Sequence, residues 1–394
     1  MRLGIITSHP IQYHAPLFRA LAERVDLHVY FAHRATEDNQ AEAGFGVGFD
    51  WDTDLTGGYH HSFLRNVSER PGIIRFDGCD TPDVSRALAA DQLDVVVVFG
   101  WHFRSFLQAA RAARALGIPV MVRTDSHLDE PRPLAKRLMK SIAYPLFLRR
   151  FDVFLPTGTR AAAYLRHYRV PEFRIRIVPC CIDVDAFKSG TRKARDNREH
   201  IRAGWGAVRN ELVLLFVGKL IDLKRAGDLL DAAGALVRAG HAVRVVLVGT
   251  GPLEAELRRQ ASDLHISATF AGFVNQNSLP KFYAAADLLV LPSESESWGL
   301  VVNEAFACGL PAIVSDRVGC APDMICHDVT GRVVPVGGRQ GLARAIEEFG
   351  AKAGDPAVIE ELAEMTERYS PRRSAEAFVA AAEASLAGAR ARGN

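Results

Sequence analysis

A chain of 394 residues is long for one domain and comfortable for two. With 48% hydrophobic and 24% charged residues it has the composition of an ordinary globular protein, with enough apolar side chains for a core in each half. Its 48 basic and 46 acidic residues leave a net charge of +2, which argues against a partner held by bulk charge, nucleic acid above all.

In the first half, short apolar runs alternate with helical patterns. Strands are predicted at Arg2–Thr7, Leu27–Phe31, Asp94–Phe99, Pro119–Arg123 and Asp152–Leu155, with helices at Pro16–Glu23 and Arg104–Leu116. Pro131–Phe151 mixes Arg132, Lys136, Arg137, Lys140, Arg149 and Arg150 with Leu134, Leu138, Met139, Ile142, Leu146 and Phe147. The plainer reading is a helix packed on its sheet. The other is a basic amphipathic helix (131–151) lying on an anionic membrane. The polar stretch Lys188–Arg209 is poor in aliphatics and is the expected linker. Beyond it, strands are predicted at Leu212–Gly218, Val243–Gly249, Thr269–Phe273, Asp287–Leu291 and Ala312–Ser315. Pro371–Ala387 reads as a helix with an alanine-rich face, fraying after Leu386.

Continuous apolar strands separated by helices indicate parallel sheets covered on both faces. The expected fold is therefore α/β, with two Rossmann-like domains, 1–187 and 210–370, facing across a cleft. No apolar run approaches the ~20 residues that span a bilayer. The opening MRLGIITSHP lacks a signal-peptide plan, and the six cysteines form no CxxC pair. A cytoplasmic protein with reduced thiols is expected, with the inner face of the membrane as the alternative place of work.

The most informative stretch is Leu291–Pro311, LPSESESWGLVVNEAFACGLP. It reads as a strand end, a polar loop and a short helix ended by Gly309. Glu296 and Glu304 stand in the spacing E-x7-E. A loop at the carboxyl end of a parallel strand that feeds a helix N-terminus is where α/β sheets bind anions. Two acids beside such a site suit neutral hydroxyls, so the ligand expected there carries phosphate and sugar together.

ESWGLVVNEAFACGLPAIVSD resembles the E-x7-E signature of family 4 retaining glycosyltransferases, which have the GT-B fold. VGKLIDLKR (Val217–Arg225), LVGTGPLEAELR (Leu247–Arg258) and FAGFV (Phe270–Val274) precede it in the order that family uses, and TGRVVPVGG (Thr330–Gly338) follows. The close resemblance covers the second half of the chain. It implies transfer of a hexosyl group from a nucleoside diphosphate sugar, with retention, and a last helix (371–394) that crosses back to the first domain. The sequence alone equally allows that helix to sit on the second domain.

The resemblance also distributes roles. Lys219 and Lys224, after the strand ending at Gly218, neutralise the diphosphate in place of a divalent ion, so no metal or organic cofactor is expected. Lysine at Lys219, where relatives often have arginine, keeps the charge and loses the bidentate fork. Glu304 grips the ribose, and Glu296 faces the donor sugar, with Glu294 as the competing acid. Ser297, Trp298, Gly299 and Leu300 offer backbone N–H groups, and Phe273 with Val274 lies against the base. Each has a bland rival: solvated lysines, a surface carboxylate, a helix-capping carboxylate. Gly249 and Gly251 read equally as a tight turn or a ligand contact.

The first half departs from the family. A glycine pair is common after the first strand; here the residues are Thr7-Ser8-His9-Pro10-Ile11-Gln12-Tyr13-His14. His9, Gln12 and His14 can hydrogen-bond a sugar. His127, in RTDSH, matches an active-site histidine, with Asp125 as its rival or partner. Trp101 and His102 can stack on an acceptor ring or pack. Asp50-Trp51-Asp52-Thr53-Asp54 looks like a metal-binding DxD but is read as a surface acidic turn. Cys320, Cys326 and His327 are too unevenly spaced for zinc. The residues do not identify the acceptor, and a glycan, a lipid-linked sugar or a small metabolite is expected. The rival functions are a nucleotide-sugar epimerase on the same framework and a non-catalytic nucleotide-sugar-binding subunit. A dehydrogenase is disfavoured because no G-x-G-x-x-G follows the first strand.

Overall fold

The computed structural model describes residues 1–36, 48–129 and 133–393. The apolar runs become strands buried on both faces. The first sheet contains β1 (Arg2–Thr7), β2 (Asp26–Phe31), β3 (His60–Phe63), β4 (Val95–Val98), β5 (Val120–Thr124) and β6 (Val153–Pro156). The second contains β7 (Leu212–Val217), β8 (Val243–Val248), β9 (Ser267–Gly272), β10 (Leu288–Leu291), β11 (Ala312–Ser315) and β12 (Gly331–Val334).

The strand orders are β3-β2-β1-β4-β5-β6 and β12-β11-β10-β7-β8-β9. The pairings are parallel throughout. Both sheets thus have the same doubly wound plan, and the direction of winding reverses between β1 and β4 and between β7 and β10. Such a reversal opens a crevice outside the carboxyl ends of the two strands. Two Rossmann-like halves follow, as the apolar pattern predicts.

The pattern did not reveal β3 and β12. Both are edge strands, and each is less buried than the central ones, so each tolerates polar residues: His60, His61 and Ser62 in one, Arg332 in the other. The 188–209 stretch is mostly helical, within Val184–Arg195 and Arg198–Gly204. Asp183 caps the first helix by accepting from the Ala186 N–H at 3.0 Å. The charge of this stretch serves the second domain: Arg198 and Arg202 bind Asp287, at 2.5 and 3.1 Å, just before β10.

The last helix, Pro371–Gly393, runs past Leu386 and packs on the helix Ala15–Ala22 and on β6. Ala375, Phe378, Ala381 and Ala382 join the core of the first half.

The helix Leu134–Phe147 corrects the plainer expectation. Tyr144 and Phe147 face Trp101, but the apolar arc points outward. Leu134 is 79% exposed, Leu138 66%, Met139 61%, Ile142 69% and Leu146 64%. Pro131, Arg132 and the side chain of Lys136 lie outside the described residues.

Gly249 and Gly251 serve a close approach of backbones. Gly249 has φ +132°, and a Cβ there would lie 1.9 Å from the Gly218 carbonyl oxygen; one at Gly251 would lie 2.3 Å from that of Leu220. The turn after β8 is pressed against the loop that carries Lys219. Gly249→Ala should therefore destabilise the protein by about 1–3 kcal/mol, read as a lower urea midpoint. An unchanged midpoint would contradict this packing.

Candidate active site

Four loops meet where the two sheets reverse: Ser8–His14 after β1, Gly100–Phe103 after β4, Gly218–Arg225 after β7 and Pro292–Gly299 after β10. The loop after β10 delivers Glu296, and that after β7 delivers Lys224. These two form an ion pair, each about one-fifth exposed. Burial, and then the neighbouring Lys219 ammonium, push Lys224 down to about 8. Burial also lowers Lys219. Two crowded, half-dried ammonium groups are poised to gain from an incoming dianion. Glu294 is instead exposed and bound by Arg225 at 3.2 Å.

Gly299 adopts φ +95° and caps the helix Leu300–Ala307. A Cβ on Gly299 would meet Val318 at 2.9 Å. Leu300 opens the helix, in the turn whose N–H groups lack intrahelical acceptors. Ser297 is exposed beside it. Trp298 is buried, with Nε1 donating to Asn303 Oδ1 at 2.8 Å. Its ring lies against Gly158 of the first half, where a Cβ would come within 2.4 Å of it.

One turn into this helix, Glu304 is fully buried. It accepts from the Tyr13 hydroxyl at 3.0 Å and from the Tyr283 hydroxyl at 2.5 Å. Burial raises its carboxyl to about 7, although the hydrogen bonds from Tyr283, Tyr13 and Gln276 pull the other way. Burial and the carboxylate raise both phenols well above their usual range.

The Phe273 ring lies 4.2 Å from that of Phe49 in a tilted contact, and Val274 packs on the second core. Beside them the two halves are clasped. Asn275 donates to the Asp50 carbonyl at 2.7 Å, and the Asn277 backbone N–H to the Asp52 carboxylate at 3.2 Å. The acidic turn thus docks on the loop after β9. Across the cleft, Thr159 donates to Asp323 through its hydroxyl at 2.6 Å.

On the first half, His14, His102, Arg123, Asp125 and Thr157 line a cavity of 280 Å³ closed by Trp298 and Leu300. Burial disfavours the charged form of both imidazoles: His14 is pushed down to about 3, and His102 is lowered even though Asp125 opposes this. Nδ1 of His14 is buried without a hydrogen-bond partner among the described residues. His9 bonds Ser8 at 2.9 Å and is pushed down to about 4, chiefly by burial.

Three of the candidate residues lie outside this cavity. His127 does not line this cavity; it is 2% exposed, with Nδ1 3.8 Å from Asp129. Asp125 stands in the cavity instead. Trp101 belongs to an aromatic cluster with Tyr144, Phe147 and Phe151. Gln12 lines a second cavity of 840 Å³, with Tyr13, Ile182, Asp183, Phe187, Gln276 and Lys281 among its walls.

Sequence reasoning missed Tyr13, Tyr283, Gln276 and Arg123. Arg123 is buried and holds the segment entering the second half, donating to the carbonyls of Val178 and Pro179 at 3.2 Å. A charged residue inside the run VMVRT was its one visible signal.

Two family models match. One, described as glycosyl transferases group 1, covers residues 197–369; the other, a glycosyl transferase 4-like domain, covers residues 11–181. The chain belongs to the family 4 glycosyltransferases. It is 32% identical over 235 residues to a D-inositol 3-phosphate glycosyltransferase of Saccharomonospora viridis, 57% of this chain and 53% of the relative. It is 36% identical over 152 residues to a GDP-mannose-dependent α-(1-6)-phosphatidylinositol dimannoside mannosyltransferase of Mycobacterium tuberculosis, 38% of each chain. The chain therefore spans about half or less of the length of these curated relatives. Among solved structures, Anabaena HepE with UDP superposes with a TM-score of 0.71 at 17% identity, over 96% of this chain and 98% of that one. A Rickettsia africae glycosyltransferase gives 0.73 at 11% identity, over 98% of each chain. These likenesses confirm the GT-B fold.

A carboxyl whose folded pKa is raised adds stability at low pH that is lost as pH climbs to the folded value. For Glu304 that window runs from its ordinary range up to about 7. Relative to Glu304→Gln, the wild type should lose stability between about pH 4.5 and pH 7 and stay level above it, measured by urea unfolding across pH. A difference that does not change with pH would contradict the buried carboxyl.

Proposed function

We propose that the protein transfers a hexosyl group from a nucleoside diphosphate sugar to a hydroxyl of a glycan, a lipid-linked sugar or a small metabolite, with retention. The observation that carries this reading is the convergence of Lys219, Lys224, Glu296 and Glu304 around one helix N-terminus at the crevice of the second sheet.

In this reading the nucleoside enters the larger cavity beside Gln276 and Ile182. Its ribose hydroxyls donate to Glu304. The diphosphate meets the two ammonium groups and the N–H groups that open the Leu300 helix. The lysines take the role a divalent ion would otherwise have, so the reaction is proposed to need no cofactor beyond the donor itself. The smaller cavity, below the about 300–1,000 Å³ of drug-sized sites, suits one sugar ring, with His102 and Asp125 as its polar partners.

As the bond from the anomeric carbon to the phosphate oxygen breaks, negative charge grows on the diphosphate, and Lys219 and Lys224 stabilise it. The acceptor oxygen attacks from the same face. Its proton passes to the departing phosphate, so no covalent nucleophile is required. Glu296, already tied to Lys224, steadies the positive charge that develops on the sugar ring. The clasps between the halves keep water from the donor.

The exposed arc Leu134–Leu146 supports a further partner. Among the described residues, no helix is long and apolar enough to cross a membrane. An outward apolar stripe rimmed by Arg137, Lys140, Arg149 and Arg150 instead fits the surface of an anionic bilayer. Trp101 packs on this helix, and the adjacent His102 lines the smaller cavity, so the docked face neighbours the acceptor side. Work at the cytoplasmic face of the membrane, on a lipid-linked sugar, is the form of the proposal this supports.

Lys224→Ala and Glu296→Ala should each reduce transfer from an accepted donor by about a hundredfold or more, with circular dichroism unchanged. Wild-type turnover in either variant would remove the assignment. Ile142→Glu should abolish co-sedimentation with phosphatidylglycerol vesicles; retention equal to wild type, or no binding by wild type, would remove the membrane partner.

A further inference from the structure

Glu304 is the group that the donor reading assigns to ribose, yet it is fully buried. Both its oxygens are taken, one by Tyr283 of the same half and the other by Tyr13 of the opposite half. Tyr283 sits on the helix Leu279–Ala285, in the same half as Glu304. Tyr13 sits in the loop after β1, in the stretch where this chain lacks the glycine pair. It also lines both cavities, the 280 Å³ one toward Trp298 and the 840 Å³ one toward Gln276. The phenol is thus a partition between the space suited to a sugar and the space suited to a nucleoside.

We infer that Tyr13 is a displaceable plug whose hydroxyl stands in for a ribose hydroxyl on Glu304, so that the donor binds only as the Gln12–His14 turn withdraws. The exchange is chemically even. A phenol and a ribose each donate an O–H to the same carboxylate oxygen, so Glu304 keeps its partner in both states. A buried carboxylate stripped of a donor is costly, so the empty site stays shut until a matching hydroxyl arrives. Withdrawal of the ring joins the two cavities into one trough, as a molecule with a nucleoside at one end and a sugar at the other requires. The glycines common in the family's loop carry no side chain that could do this.

The inference rests on the donor reading, and its test separates the two. UDP and GDP are each titrated calorimetrically into the wild type, Tyr13→Phe, Tyr13→Ala and Glu304→Gln. Tyr13→Phe keeps the ring and removes the competing hydroxyl, so its Kd for the nucleotide that binds should fall about tenfold; Tyr13→Ala should bind at least as tightly as Tyr13→Phe. Glu304→Gln should lose binding. If both tyrosine variants bind as the wild type or more weakly while Glu304→Gln loses binding, the plug is refuted and the donor site stands. If Glu304→Gln binds as the wild type, or no protein binds either nucleotide, the ribose assignment fails and the plug fails with it. Cooperative thermal unfolding of Tyr13→Phe shows that its fold is retained.

Discussion

Both sheets reverse their winding at the same place, and that constraint arranges everything else. In a parallel sheet the loops at the strand carboxyl ends are free only where neighbouring crossovers diverge. Here that happens between β1 and β4 and again between β7 and β10. The four loops concerned supply Tyr13 and His14, His102, Lys219 and Lys224, and Glu296 with the helix start at Gly299. Residues nearly three hundred positions apart in the chain can then share one carboxylate, as Tyr13 and Glu304 do.

The electrostatics of the site follow from how dry that junction is. Burial and the neighbouring Lys219 both disfavour the charged form of Lys224. Glu304 accepts from two phenols, and burial raises its carboxyl against the pull of those hydrogen bonds. A polyanion with hydroxyls answers both deficits at once: its phosphates relieve the lysines, and its hydroxyls satisfy the acids. The cavity on the first half is built differently, from buried imidazoles and hydroxyls with one cation, Arg123, and one acid, Asp125, of opposite charge, and suits a ring without net charge.

Much of this was legible in the residues. Valine- and leucine-rich runs became central strands because burial on both faces leaves no polar parity. The spacing of Glu296 and Glu304 carried the site because eight positions take the chain from a loop to the second turn of a helix. What was not legible has physical causes. His60–Phe63 is an edge strand, where a polar face costs little. The 188–209 stretch is charged because one face of its helices meets solvent and its arginines tie down Asp287. Periodicity revealed an apolar arc in Leu134–Phe147 but not that it points outward. Tyr13 is a loop residue whose importance comes only from a partner 291 positions away, and no local pattern encodes that. RTDSH offered Asp125 and His127, and the loop after the strand puts the first in the cavity wall and buries the second beside Asp129.

The account rests on a donor lying along the carboxyl edge of the second sheet, and a crystal structure with a non-hydrolysable UDP- or GDP-sugar tests it most directly. The account predicts ribose hydroxyls within hydrogen-bond distance of Glu304, the diphosphate between Lys219, Lys224 and the N–H of Leu300, and the Tyr13 ring withdrawn. A nucleotide seated elsewhere, with Glu304 still enclosed and the lysines turned from the phosphates, would contradict it.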